Sequence, residues 1–456
     1  MERRRSNPRL RRRARHVLVL ALFCLAACGG SSPPPPPTVT ITASATTVAP
    51  GATVTLTWTS THVQSCQAQG QWSGPLPLSG TKTLYPPTAN NDFGIGCSGP
   101  DGSATAGASV SVMLPNYTVT NVSLYGVSAL NDSGGVAGWI GFPPTPAGPR
   151  PYDKAAWTSG SAPPLSPPPP GQDPLSNCPP DPYTGGSMCA SRANGINSAG
   201  EVVVSVLGGP LGQMVIHYGP GSATVVAGLV SATAIDDADT IVGQTLGRHA
   251  GVFASGATVD LGTLGGTSSM ANAINAAGQI VGSALLAGDM AEHAFLSTGA
   301  GAGLVDLGDL GGGTSVAWAV NDAGVVVGES KASNGETHAF LYADGQMVDI
   351  GAAYGAYNWA TGINNAGLIV GFFVPANSTD GKPHPFLYGN GTMFDLLDVA
   401  ARPESYPAGE AVWLGNGYVR INNEGQILVP LCDGDSGPPY HTFQCWAVLL
   451  MPSASP

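Results

Sequence analysis

The sequence predicts an all-β protein in which a small β-sandwich is followed by a seven-bladed β-propeller of four-stranded blades. Gly and Pro contribute 64 and 40 of the 456 residues, and charged residues contribute only 10%. Short β-branched segments alternate with turns rich in Gly, Asn and Asp, a pattern that is typical of chains with many strands. An internal repeat is the third indication, because repeats of this length distinguish propellers and solenoids from a single irregular core.

The chain begins with a segment that is typical of an exported protein. Met1–His16 contains eight arginines, and the apolar segment Val17–Ala27 follows it. That segment is too short to span a bilayer as a helix. Its end, Leu25–Cys28, resembles the lipobox of bacterial lipoproteins, in which the signal peptide is cleaved before the cysteine and lipid is attached to that cysteine. The resemblance implies a signal peptide over residues 1–27, with an ordinary secretory leader as the alternative.

The same resemblance implies where the protein resides. Lipid on Cys28 would anchor the exported chain to the cell envelope. Glycine rather than aspartate follows this cysteine, which by the same resemblance favours the outer membrane of a double-membraned bacterium.

Removal of the leader makes the chain strongly acidic. The leader holds eight of the 17 basic residues and one of the 29 acidic residues, so nine basic and 28 acidic residues remain, a net charge of −19 with histidine neutral. Such a surface disfavours nucleic acid as a partner. It is compatible with a cationic ligand or with a role in solubility alone.

Six cysteines remain after the leader is removed and Cys28 is lipidated. Their even number, local spacing and exported context predict disulfides rather than a metal site, and none has the Cys-x-x-Cys spacing of a zinc site. The predicted disulfides are Cys66–Cys97, Cys178–Cys189 and Cys432–Cys445. No metal and no other cofactor is predicted.

A spacer and a small domain precede the repeats. Residues 28–37 form the spacer, in which Pro33–Pro37 predicts a stiff polyproline II segment. Residues 38–115 are predicted to form the β-sandwich, because segments such as Thr38–Ala43 alternate apolar and polar residues.

This domain resembles the bacterial immunoglobulin-like domains of surface lipoproteins, which carry a Thr-Trp-Thr strand, a cysteine, a Trp-Ser-Gly turn and a second cysteine. The matching residues are Thr57–Thr59, Cys66, Trp72–Gly74 and Cys97. In antibody domains the tryptophan lies between the cysteines, so the disulfide need not join the same strands here. The resemblance implies a stalk module, in which Trp72 packs in the core or in a loop; stacking on a sugar is the alternative.

The repeats occupy residues 116–456. An apolar residue followed by Asn or Asp recurs at spacings of 66, 39, 39, 46, 43 and 58 residues. One repeat contains four predicted strands, Met270–Asn275, Gln279–Ser283, His293–Ser297 and Gly303–Gly308, as in one propeller blade. The recurring residues are Asn131, Asn197, Asp236, Asn275, Asn321, Asn364 and Asn422.

The turn between the first two strands of a repeat has the form Asn-x-x-Gly, as in Asn275–Gly278. Asn accepts hydrogen bonds from the backbone of the turn, and Gly supplies the positive φ that closes it. The third repeat has the form Asp236–Asp239 instead. An aspartate therefore takes the left-handed position, and this is the one turn at which the sequence raises the question of bound calcium.

The repeats resemble the HAF family of bacterial extracellular repeats, which is named for a His-Ala-Phe step. The resemblance covers residues 117–452 and implies an architecture but no activity. The histidines are predicted to form hydrogen bonds within their own repeats, because separate blades place them too far apart to share a metal. The matching steps are His293–Phe295, His338–Phe340 and His384–Phe386, with aspartates at Asp260, Asp306 and Asp349.

The count of strands predicts how the ring closes. The last repeat ends after its third strand, Trp446–Leu450, whereas residues 117–121 form an extra strand before the first repeat. Pairing these two segments would remove two exposed sheet edges that otherwise favour aggregation. The N-terminal strand is therefore predicted to complete the last blade.

Long connections are predicted to cluster on one face, because they join the second to the third strand or the fourth strand to the next repeat. Binding residues are frequent on such loops, and aromatic rings with carboxylates suit sugars or cationic ligands. The alternative is that the aromatic residues pack the loops against the blades. The candidate binding residues are Tyr354, Tyr357, Trp359, Tyr406, Trp413, Glu404, Glu410 and Asp433.

Together these features predict a non-catalytic binding or scaffolding protein of the cell envelope, with a polysaccharide or a surface protein as its partner. No catalytic residue is predicted. A glycan-acting hydrolase or lyase that uses acidic residues on the face with the long loops is the alternative, and a purely structural surface protein is a third option. A converging pair of carboxylates about 5–10 Å apart would favour the enzyme.

Overall fold

The computed structural model describes residues 35–84, 86, 90–114, 117–122, 124, 126–140, 154–158, 190–207, 212–376, 381–397, 412–414, 416–433 and 445–452. These residues form 37 strands in nine sheets, and none of them is helical, so the predicted all-β class is confirmed. Within this part of the chain, no helix is long and apolar enough to cross a membrane. The predicted leader, Cys28 and the Cys178–Cys189 pair lie outside the described residues.

Two sheets form the N-terminal region and enclose one apolar core. Trp72 belongs to that core: its indole Nε1 donates to Gly94 O (2.8 Å), and its ring lies edge-on to Trp58 at 5.5 Å. The first sheet contains β1 (Thr38–Ala43), β3 (Val54–Thr61) and β6 (Ser79–Leu84). The second contains β2 (Thr47–Val48), β8 (Gly102–Val112), β7 (Asn90–Gly99), β4 (Ser65–Gly70) and β5 (Pro75–Leu76).

Cys66 and Cys97 form a disulfide with Cα atoms 4.1 Å apart. They lie directly opposite each other on β4 and β7, two neighbouring strands of the second sheet. The bond therefore staples one sheet internally and does not bridge the two layers, unlike the inter-sheet disulfide of antibody domains.

Seven further sheets follow in chain order, from the first sheet to the seventh. The first sheet of this series contains β10 (Gly126–Leu130), β11 (Val136–Ile140), β12 (Lys154–Thr158) and β34 (Asn416–Gly417). The second contains β13 (Ser191–Ile196), β14 (Val202–Leu207), β15 (Gln213–Gly219) and β16 (Ser222–Val226). The third contains β17 (Leu229–Ile235), β18 (Ile241–Thr245), β19 (Ala250–Ala254) and β20 (Ala257–Gly262).

The remaining four sheets continue the series. The fourth contains β21 (Gly265–Ile274), β22 (Ile280–Leu286), β23 (Glu292–Ser297) and β24 (Val305–Asp306). The fifth contains β25 (Gly311–Val320), β26 (Val326–Ala332), β27 (Thr337–Ala343) and β28 (Gln346–Asp349). The sixth contains β29 (Asn358–Ile363), β30 (Ile369–Phe373), β31 (His384–Gly389) and β32 (Thr392–Asp395). The seventh contains β33 (Val412–Leu414), β35 (Arg420–Ile421), β36 (Ile427–Asp433), β37 (Cys445–Pro452) and β9 (Tyr117–Val122).

Strand β9 completes the seventh sheet by antiparallel pairing with β37, with Val122 opposite Ala447 and Thr120 opposite Leu449. This is the pairing that the strand count predicts. In the same sheet, Cys432 lies opposite Cys445 in the backbone register. Their side chains lie outside the described residues, so this disulfide stays a prediction.

Apolar clusters join each sheet to the next around a circle. Consecutive residues of a second strand point to opposite neighbours: Ile280 packs towards the third sheet, and Val281 packs towards the fifth. Because both faces of the sheet are covered, this strand is apolar at successive positions instead of alternating. A cluster that contains Val127, Leu428 and Leu449 joins the seventh sheet back to the first. The arrangement is a β-propeller-like repeat fold.

The Asn turns link neighbouring sheets as well as closing their own hairpins. Asn275 Oδ1 accepts hydrogen bonds from the backbone of Ala277 (3.1 Å) and Gln279 (2.8 Å), which is the predicted turn chemistry. Its Nδ2 then donates to the carbonyl of the matching residue in the next sheet. The recorded links are Asn131 to Asn197 (2.8 Å), Asn275 to Asn321 (2.8 Å), Asn321 to Asn364 (3.2 Å), Asn364 to Asn422 (3.1 Å) and Asn422 to Asn131 (2.9 Å).

The repeated histidines hold the third strand of a sheet to its fourth strand. Nδ1 of His338 lies 2.7 Å from a carboxylate oxygen of Asp349, and the other oxygen of that carboxylate accepts from the Gly351 backbone (2.9 Å). The prediction that these histidines bond within their own repeats is confirmed. The other pairs are His249–Asp260, His293–Asp306 and His384–Asp395.

Candidate functional site at the wide mouth of the central channel

Three cavities follow one another along the centre of the seven sheets. The middle cavity, of 210 Å³, is lined by the first strands of all seven sheets. It shares Asn194, Trp318 and Arg420 with a wider cavity of 540 Å³ at one end. It shares Ile274 and Ile421 with a cavity of 290 Å³ at the end where the Asn turns lie. The cavities therefore form one channel with a wide mouth and a narrow mouth.

Bulges in the first strands provide the lining of this channel. In β25, for example, the pairing skips from Ala317 to Ala319 and leaves Trp318 without a partner on β26. A bulge of this kind turns a side chain away from the alternation of the strand. Six first strands carry such a residue three positions before the turn Asn or Asp. The six residues are Ser128, Asn194, Thr233, Asn272, Trp318 and Thr361.

Four of the six residues donate a hydrogen bond to the backbone of the next sheet. These bonds run from Asn194 to Ala232 O (2.7 Å), Thr233 to Ala271 O (2.7 Å), Asn272 to Ala317 O (2.9 Å) and Thr361 to Val419 O (2.7 Å). Trp318 departs from this pattern. Its indole Nε1 instead donates to Glu329 Oε1 (3.3 Å), and its ring lies 5.5 Å from that of Tyr418.

Arg420 continues the stack of Trp318 and Tyr418 into the channel. Its guanidinium carbon lies 4.7 Å from the centre of the Tyr418 ring. Nε donates to Ser128 O (2.7 Å), and Nη1 donates to Thr361 O. Burial lowers the pKa of the guanidinium to about 10, and Tyr418 opposes that shift, so Arg420 remains charged at neutral pH. These partners are carbonyls and an aromatic ring, so Arg420 pairs with no carboxylate among the described residues.

A second pair of side chains also lines the wide mouth. The guanidinium carbon of Arg192 lies 4.5 Å from the centre of the Trp139 ring, and both residues line the 540 Å³ cavity. Ser231 lines the same cavity, and its hydroxyl is buried with no hydrogen-bond partner among the described residues. A buried polar atom of this kind needs a partner, which water or a ligand in the mouth would supply.

Two carboxylates accompany the aromatic residues. Glu292 lines the wide mouth, and Glu329 lies opposite Val316, another lining residue. Burial raises the pKa of Glu329; the hydrogen bond from Trp318 opposes the shift, and the charge of Glu292 adds to it. A proton on Glu329 is therefore held more tightly than in a glutamate exposed to water.

Glu329→Gln is expected to make the protein more stable near pH 7 and to change little near pH 4. The folded pKa of Glu329 is raised, so the stability of its protonated form is complete below the unfolded pKa of about 4.3. That stability is lost as the pH rises through the folded pKa. Gln does not titrate and keeps an acceptor for Trp318. Urea unfolding at both pH values measures the effect.

The exposed Glu424 provides the control for this experiment. Glu424→Gln is expected to leave the stability unchanged at both pH values. A loss of stability near pH 7 in Glu329→Gln would contradict the assignment of burial as the dominant effect.

The structure places the candidate residues from the sequence in different surroundings. Tyr354 accepts a hydrogen bond from Met393 N (3.1 Å) and packs against the core between the fifth and sixth sheets. Trp359 packs against Phe372 with ring centres 5.3 Å apart. Tyr357 is 56% exposed and is therefore open to a ligand.

The side chains of the other five candidate residues lie outside the described part of the structure. Tyr406, Glu404 and Glu410 lie outside the described residues. Trp413 lies on β33 and Asp433 lies on β36, but their side chains are outside the described part of the structure. The wide mouth does lie on the predicted face, because first strands begin and second strands end there. The residues that form it were not among the candidates.

No protein-family model matches the chain, and no curated protein matches it. A solved structure to which the chain is similar is a quinonprotein alcohol dehydrogenase-like protein from Bacteroides thetaiotaomicron. The sequence identity is 12% and the TM-score is 0.33, and the match covers 89% of this chain and 94% of that chain. A similarity of this size assigns neither a family nor a function.

Proposed function

We propose that the protein is a lipid-anchored binding protein of the bacterial cell envelope that captures a saccharide in the wide mouth of its channel. The observation that carries the proposal is the combination of aromatic and charged side chains around one 540 Å³ cavity. This volume lies within the range of about 300–1,000 Å³ that is usual for small-molecule sites. The channel-facing residues are Trp139, Arg192, Glu292, Trp318, Tyr418 and Arg420.

The chemistry of these side chains suits a sugar. Aromatic faces such as that of Trp318 offer flat apolar surfaces for the C–H face of a pyranose ring. Arg192 and Glu292 offer donors and acceptors to its hydroxyl groups. Arg420 at the bottom of the mouth pairs with no described carboxylate, and its charge favours a sugar that carries a carboxylate.

The remaining parts of the proposal follow from the sequence and the strand order. The seven sheets, with β9 closing the last of them, support a seven-bladed propeller. The His-Asp pairs support membership of the HAF repeat family. The lipobox supports export and lipid attachment at Cys28, and the cysteine and tryptophan pattern supports an immunoglobulin-like stalk. A scaffolding role towards a surface protein would use the same exposed face.

Trp318→Ala is expected to weaken saccharide binding at least tenfold, which corresponds to about 1.4 kcal/mol. The chain without residues 1–28 would be screened on a glycan array that includes uronic acids. Calorimetry with the best ligand would then compare the parent with the variant. Tyr357→Ala, which removes an exposed ring away from the channel lining, is the matched control. Equal losses in both variants, or no glycan bound by the parent, would contradict the proposal.

A glycan-cleaving activity is the second candidate, because burial and, to a smaller extent, the charge of Glu292 raise the pKa of Glu329 beside the mouth. A carboxyl group with a raised pKa beside a second carboxylate is the arrangement used by general acids in glycoside hydrolysis. Product analysis of the bound glycan distinguishes the two functions. An enzyme would release products that Glu329→Gln abolishes without loss of binding, whereas a binding protein would release none.

A further inference from the structure

Three side chains with metal-ligating atoms meet between the second and third sheets, near the narrow mouth. They are Glu201 and His217 of the second sheet and Asp239 in the turn of the third, and their ligating atoms all lie within 4.8 Å of one another. We propose that these three residues bind a divalent transition-metal ion of the zinc class.

The distance between His217 and Glu201 fits a shared ion better than a hydrogen bond. His217 Nε2 lies 3.4 Å from Glu201 Oε2. That nitrogen is buried and has no hydrogen-bond partner among the described residues. Two ligands on a tetrahedral zinc ion, with bonds of about 2.1 Å, are separated by about 3.4 Å.

The chain departs from the prevailing residue of its own repeat at His217 and at Asp239. His217 lies opposite Val203, where Leu296 lies opposite Val281 and Leu341 lies opposite Val327. A histidine here is difficult to explain by packing, because leucine fills the same position in the fourth to seventh sheets.

The other two ligands differ in this respect. Glu201 follows the turn glycine, at a position where the repeats vary between residues such as Gln279 and Val325. Asp239 replaces that glycine and takes a φ of 59°, a conformation that an aspartate adopts at some cost. The strained residue is the one whose carboxylate reaches Asn197 in the neighbouring second sheet.

The surrounding hydrogen bonds orient the cluster. Asn197 Nδ2 donates to Glu201 Oε2 (3.2 Å) and to Asp239 Oδ1 (3.2 Å). The bond to Glu201 has a counterpart in the fourth sheet, where Asn275 Nδ2 donates to Gln279 Oε1 (2.7 Å), but there the second bond goes to Asn321 O and not to a carboxylate. Partners of this kind fix the direction of metal-ligating carboxylates.

A nitrogen ligand identifies the class of the ion. Imidazole suits zinc and its neighbours, whereas calcium prefers oxygen ligands only. Two other acidic groups of the turn are already engaged: Asp236 Oδ1 accepts from Ala238 N (2.9 Å), and Asp237 accepts from Ser198 N (2.8 Å). The turn sequence raised the question of bound calcium. The structure instead favours a site of the zinc class, to which this turn contributes Asp239 alone.

Calorimetric titration with Zn²⁺ after chelator treatment tests this site in the chain without residues 1–28. The parent is expected to bind one ion and to unfold at a higher temperature with Zn²⁺, but not with Ca²⁺. His217→Leu and Asp239→Gly each restore the repeat residue and should fold. Each is expected to weaken Zn²⁺ binding about 100-fold or more, in line with the loss of a metal ligand.

The matched control is His249→Leu, which removes the histidine of an exposed His-Asp pair and should leave Zn²⁺ binding unchanged. Asp239→Gly should also raise the stability of the metal-free chain, because the strained φ is relieved. Absence of Zn²⁺ binding by the parent, or equal affinity in the parent and both variants, would overturn the proposal.

Discussion

Gly328→Ala is expected to lower the free energy of unfolding by about 4 kcal/mol or more, or to prevent folding. A Cβ atom at Gly328 would lie 2.0 Å from Val316 O, 2.8 Å from Phe340 Cε1 and 2.9 Å from Ala317 Cα. The first and last of these atoms belong to the backbone of the bulged strand, and Phe340 is fully buried. None of them can move without breaking the packing between neighbouring sheets. Urea unfolding followed by tryptophan fluorescence measures the loss.

The same contact recurs in other sheets, which explains the glycine after the apolar pair of the second strand. A Cβ would lie about as close to a first-strand carbonyl at Gly138, Gly243, Gly282 and Gly371. Gly247→Ala is the control, because its nearest atom would be Thr245 Oγ1 at 3.6 Å, and a change below about 0.5 kcal/mol is expected. Similar losses in both variants would show that the glycine serves flexibility and not close approach.

Much of the fold is predictable from the sequence, because it depends on local chemistry. The Asn-x-x-Gly turns identify where first strands end, and the missing fourth strand of the last repeat identifies β9 as its partner. Both inferences need only turn geometry and a count of strands. The sheet-to-sheet bonds of Asn275 and its equivalents were not predicted, since a turn that is satisfied within itself gives no sign of a second partner.

The candidate site is less predictable, because it depends on bulges. A period of two identifies which residues of a strand share a face, and a bulge interrupts that period by one residue. Trp318 therefore faces the channel although Ala317 and Ala319 precede and follow it in a regular strand pattern. The available signal was the polar residue three positions before each turn Asn, such as Asn272. Trp318 is conspicuous as the aromatic exception in that series.

The candidate binding residues on the long connections were predicted from the general rule that binding residues are frequent on loops. Here the strands themselves bring Trp318, Tyr418 and Arg420 together. Tyr418 and Arg420 are contributed by the last repeat and Trp318 by the fifth sheet. Their approach across the channel depends on closure of the ring and is not visible in spacing along the chain.

Closure itself is tested by Val122→Asp, which is expected to lower the free energy of unfolding by about 3–5 kcal/mol. Val122 on β9 is 8% exposed and packs with Ala447 and Leu449 of β37 and with Val127 of the first sheet. An aspartate there would bury an unpaired charge between the two ends of the ring. Loss of β9 would also expose the edges of β37 and favour aggregation. Urea unfolding and light scattering measure the two effects.

The control for this substitution lies on the same strand. Thr120 is exposed and sits opposite Leu449 in the same ladder, so that Thr120→Asp adds the same charge without burying it. Its effect is expected to stay below about 0.5 kcal/mol. If the two variants have the same free energy of unfolding, β9 pairs with the seventh sheet without stabilising the closed ring. The channel would then lack the fixed geometry that holds Arg420, Tyr418 and Trp318 around one mouth, because that geometry depends on the first and seventh sheets staying in contact.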